Sequence, residues 1–255
     1  MSLELSPPWD DLTFLAPLSP RRADTLVRFV AGAVDPASGP VVDLGCGWAE
    51  LLLQVLAAVP GAAGVGVDRD ADALAAGRTS AAARGLDGRV ELRVGDAVPA
   101  RAAAVLSVGA THAWAPPAGP DPEPLHYEQA LRRVRSLVPR GAPVVYADGI
   151  WRRPPTPAAV APLAGREDEL LPLADLAELA VACGFGVVGV HEADQGEWDD
   201  FESGYTACYA RWLASHEPDD PQADRVREAA ARQRTGYLSG YRGVMGFGYL
   251  QLLAV

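Results

Sequence analysis

Apolar residues at Trp48, Leu51, Leu52, Val55, Leu56 and Val59 repeat with the period of a helix, and before them stands the β-branched run Pro40-Val41-Val42-Asp43-Leu44. Gly45 and Gly47 lie between the two, so the unit reads as strand, tight loop, helix. The same pattern predicts further strands over 63–68, 89–96, 102–109, 142–147, 185–191 and 244–254, and helices over 70–84, 122–138 and 173–184. Ser19-Pro20 starts an earlier helix with apolar positions at Leu26, Val27 and Val30. Gly85 stops the helix over 70–84; Asp175 and Glu178 are spaced as a capping box for the one over 173–184, and Gly184 is its stop. Between the sixth and last strands the connection is long. There Trp198, Phe201, Tyr205, Cys208, Tyr209 and Trp212 fall on one helical face, and a second helix over 221–239 follows an Asp220-Pro221 start. Strands alternating with helices predict an α/β fold with a doubly wound, mostly parallel sheet of seven strands. The expected organisation is one domain over 1–255, with an N-terminal helical cap over 1–30 and a helical lid insertion over 195–240.

Three of these strands end in an acid: Asp43, Asp68 and Asp96. Open α/β sheets bind ligands at that edge, so the ordered set points to one site. Gly45 and Gly47 remove side chains where a ligand approaches the backbone amides, and the helix after them adds partial positive charge. A dinucleotide-binding loop carries a third glycine where this chain has Glu50, which repels phosphate. Asp43 suits an ammonium group, Asp68 suits vicinal ribose hydroxyls and Asp96 an exocyclic amine. S-adenosylmethionine is a ligand of that kind.

The motifs Val42-Asp43-Leu44-Gly45-Cys46-Gly47, Gly66-Val67-Asp68 and Gly95-Asp96-Ala97, followed by Leu106-Ser107-Val108-Gly109-Ala110, resemble those of the class I S-adenosylmethionine-dependent methyltransferases over roughly residues 25–195. The resemblance implies a Rossmann-like fold and S-adenosyl-L-methionine as cofactor. It places the methionine part at Asp43, Gly45, Cys46 and Gly47, the ribose at Asp68 with Arg69 beside it, the adenine at Asp96 and Ala97, and the reacting end by Gly109. Ala49 departs from the family, in which many members have a third glycine, and is expected to shift the start of the helix.

All 22 basic residues are arginine, which excludes Schiff-base, pyridoxal and phosphate-loop chemistry that needs lysine. A net charge of −11 argues against nucleic acid as partner, and the cluster Arg132, Arg133, Arg135 reads as a solvated helix face. Cys46, Cys183 and Cys208 have no metal-like spacing, so no metal is expected. No apolar stretch is long enough for a membrane span and no signal peptide is apparent, so the expected setting is cytoplasmic. A small-molecule substrate fits best, and the chain leaves a homodimer or a partner subunit open.

Methyl transfer to a hydroxyl or ammonium group needs a proton acceptor. His112, in the loop after the fourth strand, is the candidate because imidazole normally titrates near neutral pH. His126, His191 and His216 read as structural. Asp148, at the end of the fifth strand, and Glu50 are the alternatives. Trp9, Trp114, Trp151, Trp198 and Tyr205 are the candidate substrate contacts, and Trp212 and Cys208 read as core. Two other uses of the pocket stay open here: a non-methylating reaction such as cyclisation or elimination, and a non-catalytic partner subunit.

Overall fold

Seven strands, β1 (Val41–Leu44), β2 (Gly64–Asp68), β3 (Val90–Val94), β4 (Ala104–Val108), β5 (Pro143–Trp151), β6 (Phe185–Glu192) and β7 (Met245–Ala254), form one sheet in the computed structural model, which describes residues 5–114, 124–163 and 165–255. Their order is β3-β2-β1-β4-β5-β7-β6. The first five run parallel, and β7 runs antiparallel between β5 and β6. Strands covered on both faces read as continuous apolar runs, and every residue of β1 and β5 is buried.

The helices are α1 (Pro20–Ala33), α2 (Glu50–Ala58), α3 (Ala71–Ala83), α4 (Thr111–Trp114), α5 (Tyr127–Leu137), α6 (Pro157–Val160), α7 (Leu173–Ala182), α8 (Gln195–Ser215) and α9 (Ala223–Thr235); α9 runs on into a π-helical turn over Gly236–Tyr241. One apolar layer joins Leu26, Val30, Leu52, Leu56 and Leu74 to one face of the sheet. A second joins Leu131, Val134, Leu176 and Phe185 to the other. Among the described residues no helix is long and apolar enough to cross a membrane.

Local chemistry fixes most element starts. The Ser19 hydroxyl accepts from the Arg22 N–H at the start of α1, and the Asp70 carboxylate accepts from Asp72 and Ala73 at the start of α3. Three expectations need correction. The capping box assigned to Asp175 and Glu178 does not form, because α7 already begins at Leu173 and Asp175 lies inside its first turn; a capping box does form between Asp194 and Glu197, at the start of α8. The strand placed over 142–147 continues to Trp151, since the ten-residue β7 pairs with it as far as Trp151 opposite Met245, so Asp148 and Trp151 are strand residues and not part of a loop. The loop expected around His112 is the short helix α4.

Ala49 adopts φ +60°, the left-handed region that favours glycine, and α2 starts after it at Glu50. Gly77 of α3 lies directly under this bend: a Cβ there would stand 2.8 Å from the Trp48 carbonyl oxygen and 3.0 Å from Leu92. Backbone cannot step aside as a side chain can, so Gly77→Ala is expected to cost about 1–3 kcal/mol, the range for overpacking. Urea unfolding checks this; an unchanged midpoint would show that α3 and the bend can move apart freely.

Candidate functional site

The strand order reverses between β1 and β4, which leaves a crevice outside their C-terminal ends. A cavity of about 250 Å³ lies there. Asp43, Gly45, Cys46, Gly47, Asp68, Arg69, Asp96 and Gly109 all line it, together with His112. Ala97 does not reach it and is exposed beyond the end of β3.

The bend over 45–47 works differently from the expectation that its amides face a ligand. The Gly45 and Cys46 N–H groups both donate to the Val67 carbonyl, at 2.8 and 3.2 Å, and the Gly47 N–H donates to the Asp68 carboxylate at 2.7 Å. These three amides are therefore spent inside the fold. A phosphate cradle needs such groups free. Gly45 is bare for a packing reason, since a Cβ would meet Ala110 Cβ at 2.6 Å. At Gly47, with φ +53°, the backbone turn demands glycine, and the space where a Cβ would point is open. The Cys46 thiol is packed beside Gly66 of β2, where a Cβ at Gly66 would lie 2.9 Å from it.

Asp43 is 5 % exposed, and among the described residues its side chain has neither a hydrogen bond nor an ion pair. Burial, reinforced by the negative charge of Asp68, pushes its carboxyl up to about 8. Asp68 also accepts from the Asp70 N–H at 2.9 Å, so it fixes both the bend and the start of α3 while still lining the cavity. Asp96 is exposed and stands 4.0 Å from Arg69. Glu50 lines the cavity and is paired with Arg84 at 2.6 Å. The site is thus rich in carboxylate, and its deepest acid lacks a cation.

His112 is exposed toward the cavity from α4. Its neighbours hold it there. Thr111 is fully buried, with its N–H on the Asp148 carboxylate at 2.9 Å and its hydroxyl 2.5 Å from the Tyr146 hydroxyl; Trp114 donates to the Ser107 hydroxyl at 3.0 Å. Asp148 itself does not line the cavity. Its oxygens accept the Thr111 and Gly149 N–H groups, and burial holds its carboxyl above the usual range against those bonds. The acid expected as an alternative base is therefore a bracket beneath α4.

The aromatic candidates are dispersed. Trp114 is 1 % exposed in the core, and Trp151 is buried with its N–H on the Glu167 carbonyl. Trp198 is buried against Phe201 and Tyr241, so the inner face of α8 packs onto the fold, while Tyr205 points outward at 41 % exposure. None of the four lines the cavity. Trp9 meets Trp48 edge to face, with ring centroids 5.9 Å apart, and Trp48 lines the cavity in its place. His216 stacks on Trp212, and Arg135 donates to the Gly184, Val138 and Val255 carbonyls, so these are structural groups.

Sequence reasoning missed one wall altogether. Phe14, Leu15, Ala16 and Leu18 form the apolar side of the cavity. They lie in a segment of bends with no repeat of period 2 or 3.6, and the only signal was the mixture of aromatics and prolines between Trp9 and Leu18. Among the described residues no cluster of side chains is arranged to hold a metal ion.

Residues 41–137 match the family described as a methyltransferase domain. No protein of curated function matches the chain. Among solved structures, a SAM-dependent methyltransferase from Geobacter sulfurreducens in complex with S-adenosyl-L-homocysteine is similar to it at 25 % identity and a TM-score of 0.80, over 97 % of this chain and 96 % of that one. The cyclase SpnF shares the fold at 18 % identity and a TM-score of 0.61, over 92 % and 82 % of the two chains. So does geranyl diphosphate C-methyltransferase from Streptomyces coelicolor, at 14 % identity and 0.59, over 92 % and 80 %.

Proposed function

We propose that this chain is an S-adenosylmethionine-dependent methyltransferase of the class I type that methylates a small molecule held in the cavity beside residues 13–18. One observation carries the reading: the bend donates its amides inward while the buried Asp43 faces the same cavity without a cation. That donor set fits a ligand that brings positive charge and no phosphate. S-adenosylmethionine, when bound, supplies a transferable methyl group on a positively charged sulfur.

In this proposal Asp43 receives the ammonium group, Asp68 accepts from the ribose hydroxyls while it holds Gly47, and Asp96, paired with Arg69, lies at the adenine end. Ala97, outside the cavity, has no part in it. The apolar wall of Phe14, Leu15 and Leu18 excludes water and aligns the acceptor, which provides most of the acceleration that methyl transfer needs. His112 takes the proton from a hydroxyl or ammonium acceptor.

Release of S-adenosylhomocysteine across a panel of small hydroxyl and amine compounds, with mass spectrometry of the products, tests the reading. A saturable cofactor site with a changed but unmethylated product would favour the cyclisation or elimination use. Asp68→Ala is expected to weaken S-adenosylmethionine binding by about 1.5–3 kcal/mol, the range for hydrogen bonds involving a charged group. A calorimetric titration with no loss would place the ribose elsewhere.

A further inference from the structure

We infer that Leu12, seated in a notch at Gly204 of α8, positions residues 13–18 as a wall of the cofactor cavity, so that α8 sets how fast ligand leaves. The inference rests on the assignment of this cavity to S-adenosylmethionine.

Gly204 lies in the interior of a 21-residue helix, where glycine is the weakest choice apart from proline. Its φ is not in the left-handed region, so backbone shape does not require it. Packing does. A Cβ at Gly204 would stand 2.3 Å from Leu12 Cδ2, 2.9 Å from Leu12 Cγ and 3.4 Å from the Asp11 carbonyl oxygen. Two turns further along the same face, Arg211 forms an ion pair with Asp11 through both terminal guanidinium nitrogens. Helix α8 therefore grips two consecutive residues of the N-terminal segment.

The rest of that segment is tied to the cavity itself. The Trp48 N–H donates to the Thr13 carbonyl at 2.8 Å, and the Tyr249 hydroxyl donates to the Pro17 carbonyl at 2.9 Å. Between these ties the chain belongs to no strand or helix, and its only internal backbone bond among the described residues runs from Leu18 N–H to the Ala16 carbonyl. The other walls are strand ends held in the sheet, the bend over 45–47 with its amides bonded inward, and the starts of α2 and α4, which carry their own backbone bonds. A ligand that leaves meets least resistance where the wall has the fewest bonds, and the Leu12 seat restrains that wall.

Stopped-flow tryptophan fluorescence with S-adenosylhomocysteine as the probe tests this in wild type, Gly204→Ala, Leu12→Ala and the double variant. Each single change is expected to speed release about tenfold, because affinity differences within one site fall mainly on dissociation. The double variant is expected to be no faster than Leu12→Ala, since the added methyl then has nothing to displace. If Gly204→Ala does not fold, Arg211→Ala cuts the second tie without touching the notch and is expected to speed release several-fold. Release rates equal to wild type, or effects that multiply in the double variant, overturn the inference. Absence of S-adenosylhomocysteine binding in wild type would instead remove the cofactor assignment beneath it.

Discussion

Replacing Asp43 with asparagine is expected to raise the melting temperature of the ligand-free protein while all but abolishing S-adenosylmethionine binding at neutral pH. The two effects have one cause. The folded protein holds the Asp43 proton up to about pH 8, whereas the unfolded chain releases it near the ordinary carboxylate value around 4. A carboxyl raised by folding binds its proton more tightly in the folded state. Its contribution to stability is therefore best below pH 4, falls as pH rises through the window from about 4 to about 8, and is constant above that. At pH 7 the penalty is on the order of 4 kcal/mol. Asparagine removes it but leaves a buried amide without partners, which costs about 1–3 kcal/mol. The net gain corresponds to a rise of roughly 3–8 °C for a domain of this size. Binding moves the other way, because truncating one partner of a buried charge pair costs about 2–5 kcal/mol. In wild type the same proton must leave before an ammonium group can be received, so affinity is expected to climb between pH 6 and 8 with release of up to one proton per ligand. Thermal melts and calorimetry in buffers of different ionisation enthalpy measure both. A variant that melts lower, or that binds as wild type does, would show that Asp43 is not the buried counter-charge.

This tension between stability and binding was half legible in the chain. The order of strand ends and the acids on them follow from periodicity and from two glycines spaced one residue apart, and the sheet places Asp43, Asp68 and Asp96 around one cavity. What local pattern does not contain is where a hydrogen bond already goes. The Gly47 N–H looks available for a ligand until β2 brings Asp68 to within 2.7 Å of it. Asp148 looks like a strand-end acid until β7 extends the pairing beyond it and Thr111, at the start of α4, occupies an oxygen. The aromatic face of α8 shows the same limit: spacing identifies the stripe, but only tertiary packing decides that Trp198 faces the core and Tyr205 faces solvent. Residues 13–18 have no period to read, and the wall they build depends on contacts with Trp48, Gly204 and Tyr249, far away in sequence.

The packing around α4 also sharpens the second large expectation, that His112→Ala lowers turnover by about 10²–10⁴-fold, the range for loss of a general base. Because Thr111 and Trp114 are fixed by their own partners on either side, the substitution removes an exposed ring without releasing the helix. Affinity for S-adenosylhomocysteine should then stay within about threefold, since an interaction made only in the transition state leaves ground-state binding alone. Asp148→Asn provides the contrast. It sets an amide NH₂ where one of two backbone N–H groups now finds an oxygen, so it is expected to lose about 1–3 kcal/mol of stability. Yet it leaves the imidazole in the cavity, so it should retain more turnover than His112→Ala once the folded fraction is accounted for. Measured with one acceptor, the order of the two variants distinguishes a base from its bracket. If Asp148→Asn lost turnover at full folding while His112→Ala kept it, the proton would have to travel through β5, and the cavity drawn here would be missing its reactive wall.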